Sequence, residues 1–386
     1  MEIKGYKRNN GKYGIRNHLL ILPTSICASE TAVRISQLIP GSIALPHQHG
    51  CCHVGEDYKQ VLRTLVGFAK NPNVGAVLIV ALGCEGINPE EVKREIEKSS
   101  KPVEKIIIQQ KGGTAKTIKE GEEICRKMVE KLLHQKKEEF DISKITLALE
   151  CGGSDPASGI TANPAVGITS DLLIKYGGSS ILSETTELIG AEKIIAKRAY
   201  NKKIAQKILF MIERIEKRAI DMHVDLRGTQ PTPGNIEGGL TTIEEKSLGC
   251  IHKAGNSPII GVLEYAEEIP DKKGLYFMDT PGQDIESITG MLAGGAQIAV
   301  FTTGRGTPTG SPIAPVIKIS SNTMLYKNMY EHIDVNAGEI INKGKTIEEI
   351  GPKIFNEIIR VCNGKLTKSE ILGHKEFAIY RIGYTF

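Results

Sequence analysis

The sequence predicts an α/β protein built from two Rossmann-like parallel sheets, each with helices on both faces. Three observations lead there. Short apolar runs alternate with stretches of helical periodicity. One run, Gly75–Leu82 (GAVLIVAL), is continuously apolar, as a strand covered on both faces requires. The rhythm stops in the polar stretch Gln135–Lys144 and then restarts. This sets a boundary between an N-terminal α/β domain, 1–138, and a C-terminal one, 139–386.

In the first half, Leu19–Pro23, Ser42–Leu45, Gly75–Leu82 and Val103–Gln109 read as strands. Helices are predicted over Ala28–Ile39, Tyr58–Ala69 and Thr114–His134. Another opens at Asn88-Pro89, an N-cap followed by proline at the first helical position. In the second half, strands are predicted at Ile145–Leu149, Ser180–Ser183, Ile259–Leu263, Leu275–Met278, Ile298–Phe301 and Val316–Ile319. Helices are predicted over Pro164–Lys175, Glu187–Tyr200, Ile204–His223, Ile285–Leu292 and Ile347–Val361. Asp225–Leu240, rich in Gly and Pro, reads as a long functional loop.

Composition narrows the function classes. The chain has 386 residues, a formal charge of +4, 5% aromatics and no Trp. A nucleic-acid footprint would need a concentrated basic stripe with aromatics beside it. No run reaches the ~18 apolar residues of a membrane span, and Met1–Gly11 has no signal-peptide core. A cytoplasmic protein is expected, with neither nucleic acid nor membrane as partner. The eight cysteines show no zinc-finger spacing. In a reducing compartment they are expected to be metal-binding, catalytic or buried.

Ligands of open parallel sheets gather outside the carboxyl ends of the strands. Five unusual loops fall there: His47–His53, Gly83-Cys84-Glu85, Glu150–Asp155, Ser183–Thr186 and Thr302–Pro308. Three histidines within seven residues suit metal ligation or proton transfer, or else a plain surface loop. Cys51, Cys84, Cys151 and Cys250 are either small buried hydrophobes or ligands to iron, including an iron–sulfur cluster. Gly152, Gly153, Gly304 and Gly306 are either simple turns or places where backbone N–H groups approach an anion. Arg305 between its glycines would fork onto a carboxylate. Pro231–Gly239 reads as an ordered lid. Lys246 is a surface lysine unless it is buried in the cleft, where its pKa would fall and make it a base.

Several segments carry a resemblance in order: GYKRNNGKYGIRN, ILPTSIC, HQHGC, ALGCEGIN, LECGGSDPASGITANPAVG, SETTELIGAE, PTPGNIEGGLTTIEEKSLGC, KAGN, FTTGRGTP, VNAGEII and CNGK. Together these resemble the large catalytic region of the altronate and galactarate dehydratase family, and its relatives the (2R)-sulfolactate sulfo-lyase large subunits. The resemblance implies removal of water from an aldonic or aldaric acid to give a 2-keto-3-deoxy acid, or release of sulfite. It also implies Fe2+, with Mn2+ able to substitute. Fused members carry a small SAF-type domain. The chain starts at the large region, so a separate small SAF-type subunit and a homo-oligomer are expected.

On this reading, the base that takes the C2 proton is His47 or Lys246, and the acid that assists the leaving group is Glu85, Asp155 or Glu184. Cys51, Cys84, Cys151 and Cys250 hold the metal. The substrate is held by Gly152, Gly153, Ser154, Asn163, Asn235, Thr303, Gly304, Arg305, Gly306 and Thr307. The rival class is a non-enzymatic binding module for acidic ligands, or a redox sensor.

Overall fold

The computed structural model describes residues 1–386. Fourteen strands form three sheets. A four-stranded parallel sheet has the order β4-β3-β5-β6, with β3 at His18–Pro23, β4 at Ser42–Ala44, β5 at Val74–Ala81 and β6 at Val103–Ile107. Its Leu19, Ile21, Leu78 and Val80 pack on Ala28, Ala32, Ile35 and Met128. These come from the helices Ile26–Leu38 and Thr114–His134. On the other face, Leu20, Leu22, Val77 and Ile79 share a core with Val61, Leu65, Val92 and Ile96, from Gly55–Lys70 and Pro89–Glu97. This two-faced burial is what the unbroken apolar run predicts.

The second sheet has seven parallel strands in the order β10-β11-β9-β8-β12-β13-β14. They span Thr146–Cys151 (β8), Ser179–Leu182 (β9), Ile259–Leu263 (β10), Leu275–Met278 (β11), Ile298–Thr303 (β12), Val316–Ser320 (β13) and Val335–Asn336 (β14). Helices Ala162–Lys175 and Ile347–Cys362 bury Ala165, Val166, Ile354 and Ile358 against one face. The other face shares a core with the four-stranded sheet. There helix Asp284–Ala293 lies on helix Gly55–Lys70. The two backbones touch at Gly67, where any Cβ would stand 2.5 Å from the Ala293 carbonyl oxygen.

The polar stretch at residues 135–144 is more than a break. Glu138–Asp141 (β7) pairs antiparallel with Glu2–Lys7 (β1), which also pairs with Tyr13–Gly14 (β2). The pairing escapes a sequence reading because its partners are far apart and mostly charged. Only Ile3 and Phe140 of the two strands contribute buried apolar side chains to the core. The predicted helix Glu187–Tyr200 is a turn at Thr185–Leu188 followed by a helix at Glu192–Lys197. The predicted strand Val103–Gln109 stops at Ile107, where a helical turn begins. The predicted loop Asp225–Leu240 carries two short helices, Leu226–Thr229 and Pro233–Glu237.

Each parallel sheet has a point where the chain, having built one side, crosses to build the other. In the small sheet this happens between β3 and β5, and in the large one between β8 and β12. Such a crossing opens a crevice at the carboxyl ends of the two strands.

Candidate active site

At the end of β8 and β9 lies a buried cluster of charge. Glu150 is the penultimate residue of β8, and Glu184 follows β9 in a left-handed conformation (φ 66°). Lys253, in the turn His252–Ala254, reaches in from the helical side. Both Lys253 and Glu184 are 0% exposed. The Lys253 ammonium donates to Glu184 Oε2 and to Cys250 Sγ, the latter at 3.0 Å. The Cys151 N–H also donates to Glu184 Oε2, at 3.1 Å. Burial works against the charge of Lys253, but Cys250 and Glu184 outweigh it and hold its pKa well above the ordinary value.

A second pair sits beside the first. Lys246, on helix Ile243–Ile251, lies 2.6 Å from Glu187 Oε1. Both line a cavity of about 220 Å³ with Thr186, Gln230, Thr232 and Gly282. Burial opposes both charges. Even so, Lys246 raises no proton to the solvent easily, because Glu187 lifts its pKa, while Lys246 and Lys253 depress that of Glu187. Glu187 is therefore ionised and Lys246 protonated at neutral pH. This corrects the expected fall in the Lys246 pKa. The expectation counted burial but not a carboxylate partner 2.6 Å away.

The remaining carboxyls are strained electrostatically. Burial pushes Glu150 and Glu184 up, and for Glu184 the neighbours Glu150 and Glu187 add to it. Asp284, first residue of its helix, is pushed up to about 7 by burial and then by the charges of Glu187 and Cys151. Its carboxylate fills the space where a side chain on Gly152 would be, 2.4 Å from the position of a Cβ. Cys151 is lowered to about 6, first by its hydrogen bond with Cys250 and further by Lys253, against the effect of burial.

The sequence-predicted residues fall into three groups. Glu184, Lys246, Cys151 and Cys250 come together in this cluster. Arg305 is half exposed, 3.2 Å from Glu237 of the Pro231–Gly239 segment, and does not line the Lys246–Glu187 cavity. Gly152, Gly153, Ser154, Asn163, Asn235, Thr303, Gly304, Gly306 and Thr307 stand outside the lining of that cavity, in the loops after β8 and β12 and the segments bonded to them. Asn163 spends its amide on Gly249 O, Cys151 Sγ and the Thr302 hydroxyl. Asn235 ties the 231–239 segment to Ser154 O. Ser154 Oγ is 3.0 Å from Cys151 Sγ. The Gly304 and Arg305 N–H groups both donate to Gly153 O, and that of Gly306 to the Thr303 hydroxyl. The Thr307 hydroxyl pairs with that of Thr309.

Other expected residues are engaged elsewhere. Asp155 is an N-cap: it accepts from Ser158 N, Ser158 Oγ, Ser321 Oγ and Asn322 Nδ2, which leaves little for acid catalysis. Glu85 accepts from Thr24 Oγ1, Leu82 N and Gly83 N; burial opposes its charge, but these donors keep it ionised. His47 donates through Nε2 to Pro23 O (2.9 Å) and accepts through Nδ1 from His49 N (3.2 Å), so no lone pair remains for a substrate proton. Cys51 and Cys84 are exposed on the small sheet, whereas Cys151 and Cys250 are buried on the large one. The four expected metal cysteines do not form one cluster.

Sequence reasoning missed Lys253, Glu187, Asp284 and Glu150. Three of them lay in segments already singled out: KAGN, SETTEL and LECGG. Nothing in one dimension marked them as buried and paired.

For a divalent metal, two sets of ligand atoms lie within reach of one another: Glu184, Glu187 and Cys250, and Glu150, Glu184 and Asp284. Glu150 Oε1, Glu184 Oε1 and Glu187 Oε2 are buried with no hydrogen-bond partner. Lys253 occupies Glu184 Oε2 and the Cys250 sulfur, so the all-carboxylate set, in which Glu184 keeps Oε1 free, is the one that offers oxygen ligands to a divalent ion.

Carboxylates, ammonium groups and a carboxyl poised near neutrality, set at the strand ends of a doubly wound sheet, are the equipment of an α/β enzyme working by acid–base chemistry. Two family models cover nearly the whole chain: the D-galactarate/altronate dehydratase C-terminal model over residues 142–385, and the D-galactarate dehydratase/altronate hydrolase second-domain model over residues 5–133. The chain belongs to the D-galactarate/altronate dehydratase family. It is 38% identical to a (2R)-sulfolactate sulfo-lyase subunit beta of Chromohalobacter salexigens, with 99% of each chain covered. It is 36% identical to an altronate dehydratase of Bacillus subtilis, over 99% of this chain and 78% of that one. It is 36% identical to a galactarate dehydratase (L-threo-forming) of Escherichia coli, over 83% of this chain and 62% of that one. No helix is long and apolar enough to cross a membrane.

Proposed function

We propose that the protein eliminates water from an aldonic or aldaric acid to give a 2-keto-3-deoxy acid, as a cytoplasmic enzyme. The observation that carries this is the Lys246–Glu187 pair lining a cavity at the sheet's carboxyl end. Glu187, with Oε2 free, takes the proton from C2 of the substrate. The C2–H electrons form the C2–C3 double bond, and the C3–oxygen bond breaks toward the leaving group. The Lys246 ammonium gives that group its proton, so water departs. The enol then tautomerises to the keto acid. Proton transfer from Glu187 to neutral Lys246 across 2.6 Å restores the resting pair.

Arg305, half exposed and bonded through its N–H to Gly153 O, is suited to hold the substrate carboxylate by two hydrogen bonds. Glu150, Glu184 and Asp284 would hold Fe2+ or Mn2+. When bound, such an ion supplies Lewis-acid stabilisation of the carboxylate-derived negative charge. The division into units 1–138 and 139–386 belongs to the same reading, supported by the two family models meeting between residues 133 and 142.

A second reading is release of sulfite from (2R)-sulfolactate by the same proton transfers. The end-to-end match to the sulfo-lyase subunit favours it. That relative's name, subunit beta, supports a partner chain, for which a small SAF-type subunit is the candidate. Keto-acid release from altronate, galactarate and (2R)-sulfolactate, with Fe2+ present and with and without such a subunit, tests both readings. Keto acid with water from a sugar acid supports the first, and keto acid with sulfite the second. No keto acid from any of the three removes both.

A further inference from the structure

The other crossing point, between β3 and β5, is also occupied by chemistry. Cys27 follows β3 on the first turn of a 13-residue helix, Cys51 and Cys52 lie in the loop after β4, and Cys84 follows β5. All four exposed cysteines of the chain are these, and the other four are buried. Cysteine is among the most buried residue types, so this grouping on one sheet edge requires a cause.

The three loops are locked together. Ile26 N donates to His49 O at 2.9 Å, and Ile87 N to Gly50 O at 3.0 Å. A Cβ on Gly50 would stand 2.5 Å from Ser25 Cα, and one on Gly86 would stand 3.7 Å from Cys51 Cα. Glu85 accepts from Thr24 across the same gap. The three cysteine-bearing loops therefore meet at one edge of the small sheet. None of the four cysteines belongs to a set of three or more ligand atoms within 4.8 Å of one another, the spacing of the carboxylate sets. Three thiolates carried on separate, joined loops suit a polynuclear centre. Gln109 Nε2 donates to Cys84 Sγ at 3.4 Å, the kind of hydrogen bond that tunes cluster sulfurs. Ser25 Oγ and His49 Nδ1, in the same loops, are buried without a partner, at 1% and 3% residue exposure.

We propose that Cys27, Cys51 and Cys84 bind an iron–sulfur cluster of the cubane class as three thiolates, leaving one iron without a protein ligand. Each thiol gives up its proton on ligation. Cys52, in left-handed backbone (φ 59°) with its sulfur 3.8 Å from that of Cys51, is not a ligand. The open iron is accessible to an oxygen donor; its use by a hydroxy-acid substrate rests on the lyase reading, whereas the ligation does not.

The test is anaerobic reconstitution of the full chain with sulfide and equal parts ferrous and ferric iron, so that the cluster assembles without net electron transfer. Iron, acid-labile sulfide and the visible charge-transfer band are measured after desalting. The wild type and Cys52→Ser are expected to retain about four of each ion per chain. Cys27→Ser, Cys51→Ser and Cys84→Ser, all at exposed positions, are expected to lose the centre at least about fivefold while keeping the wild-type circular dichroism. Retention in those three variants, loss in Cys52→Ser, or iron bound without sulfide overturns the proposal. Keto-acid release is measured separately, so a chain that holds the cluster but turns over none of the three acids counts against the lyase reading alone.

Discussion

Lys246 Nζ lies 2.6 Å from Glu187 Oε1, and both side chains line one cavity at the carboxyl end of the seven-stranded sheet. Neighbouring Lys253 and Glu184 repeat the pairing in full burial. The two pairs differ in access: the first faces the cavity, and the second serves as its foundation.

Lys253→Met should destabilise the fold by about 3–5 kcal/mol, because it leaves Glu184 buried without its cation. Adding Glu184→Gln should recover part of that loss, giving a coupling of roughly 1–3 kcal/mol in a double-mutant cycle. Urea denaturation measures both. Stability of the single variant within ~0.5 kcal/mol of wild type would mean the pair is not what holds the cluster together.

Asp284 sets a pH dependence. Its folded-state pKa of about 7 lies above the ordinary 3.8. Between those values the native carboxyl keeps a proton that the unfolded one has lost, so stability falls as pH rises and the penalty is complete above about 7. With metal chelated, Asp284→Asn should gain up to about 4 kcal/mol over wild type at pH 8 and almost nothing at pH 4. An equal gain at both pH values contradicts the assignment.

Gly67→Val should cost about 2 kcal/mol or more, since its side chain would meet the Ala293 backbone where two helices touch. Thermal melting reads it. An unchanged Tm would show that the two sheets do not share the core described.

Much of this was legible in one dimension. Continuous apolar runs such as Gly75–Leu82 become strands covered on both faces, and the polar loops at their ends mark the crevices. The charge cluster was not legible. Lys253 and Asp284 look like ordinary surface residues, and only the return of the chain from residue 150 to 253 and 284 buries them together. The same blindness affected His47, whose ring is consumed by Pro23 O and His49 N, and Cys27, whose helix begins one loop away from Cys51. The β1–β7 pairing joined segments about 130 residues apart with few apolar side chains to announce it.

Arg305→Ala should raise KM for the acid about tenfold or more and leave the melting temperature unchanged, since the side chain is half exposed and its ion pair is with exposed Glu237. Steady-state kinetics separate KM from kcat. Wild-type KM would remove Arg305 from the site.

The most direct test of the account is the rate of keto-acid formation by Glu187→Gln and Lys246→Met, on whichever of altronate, galactarate or (2R)-sulfolactate the wild type converts. Both variants should fold and should lose about 10²–10⁴-fold in kcat, the range of a lost proton-transfer group. Turnover at the wild-type rate in either variant would contradict the assignment of this pair as the base and acid of the elimination.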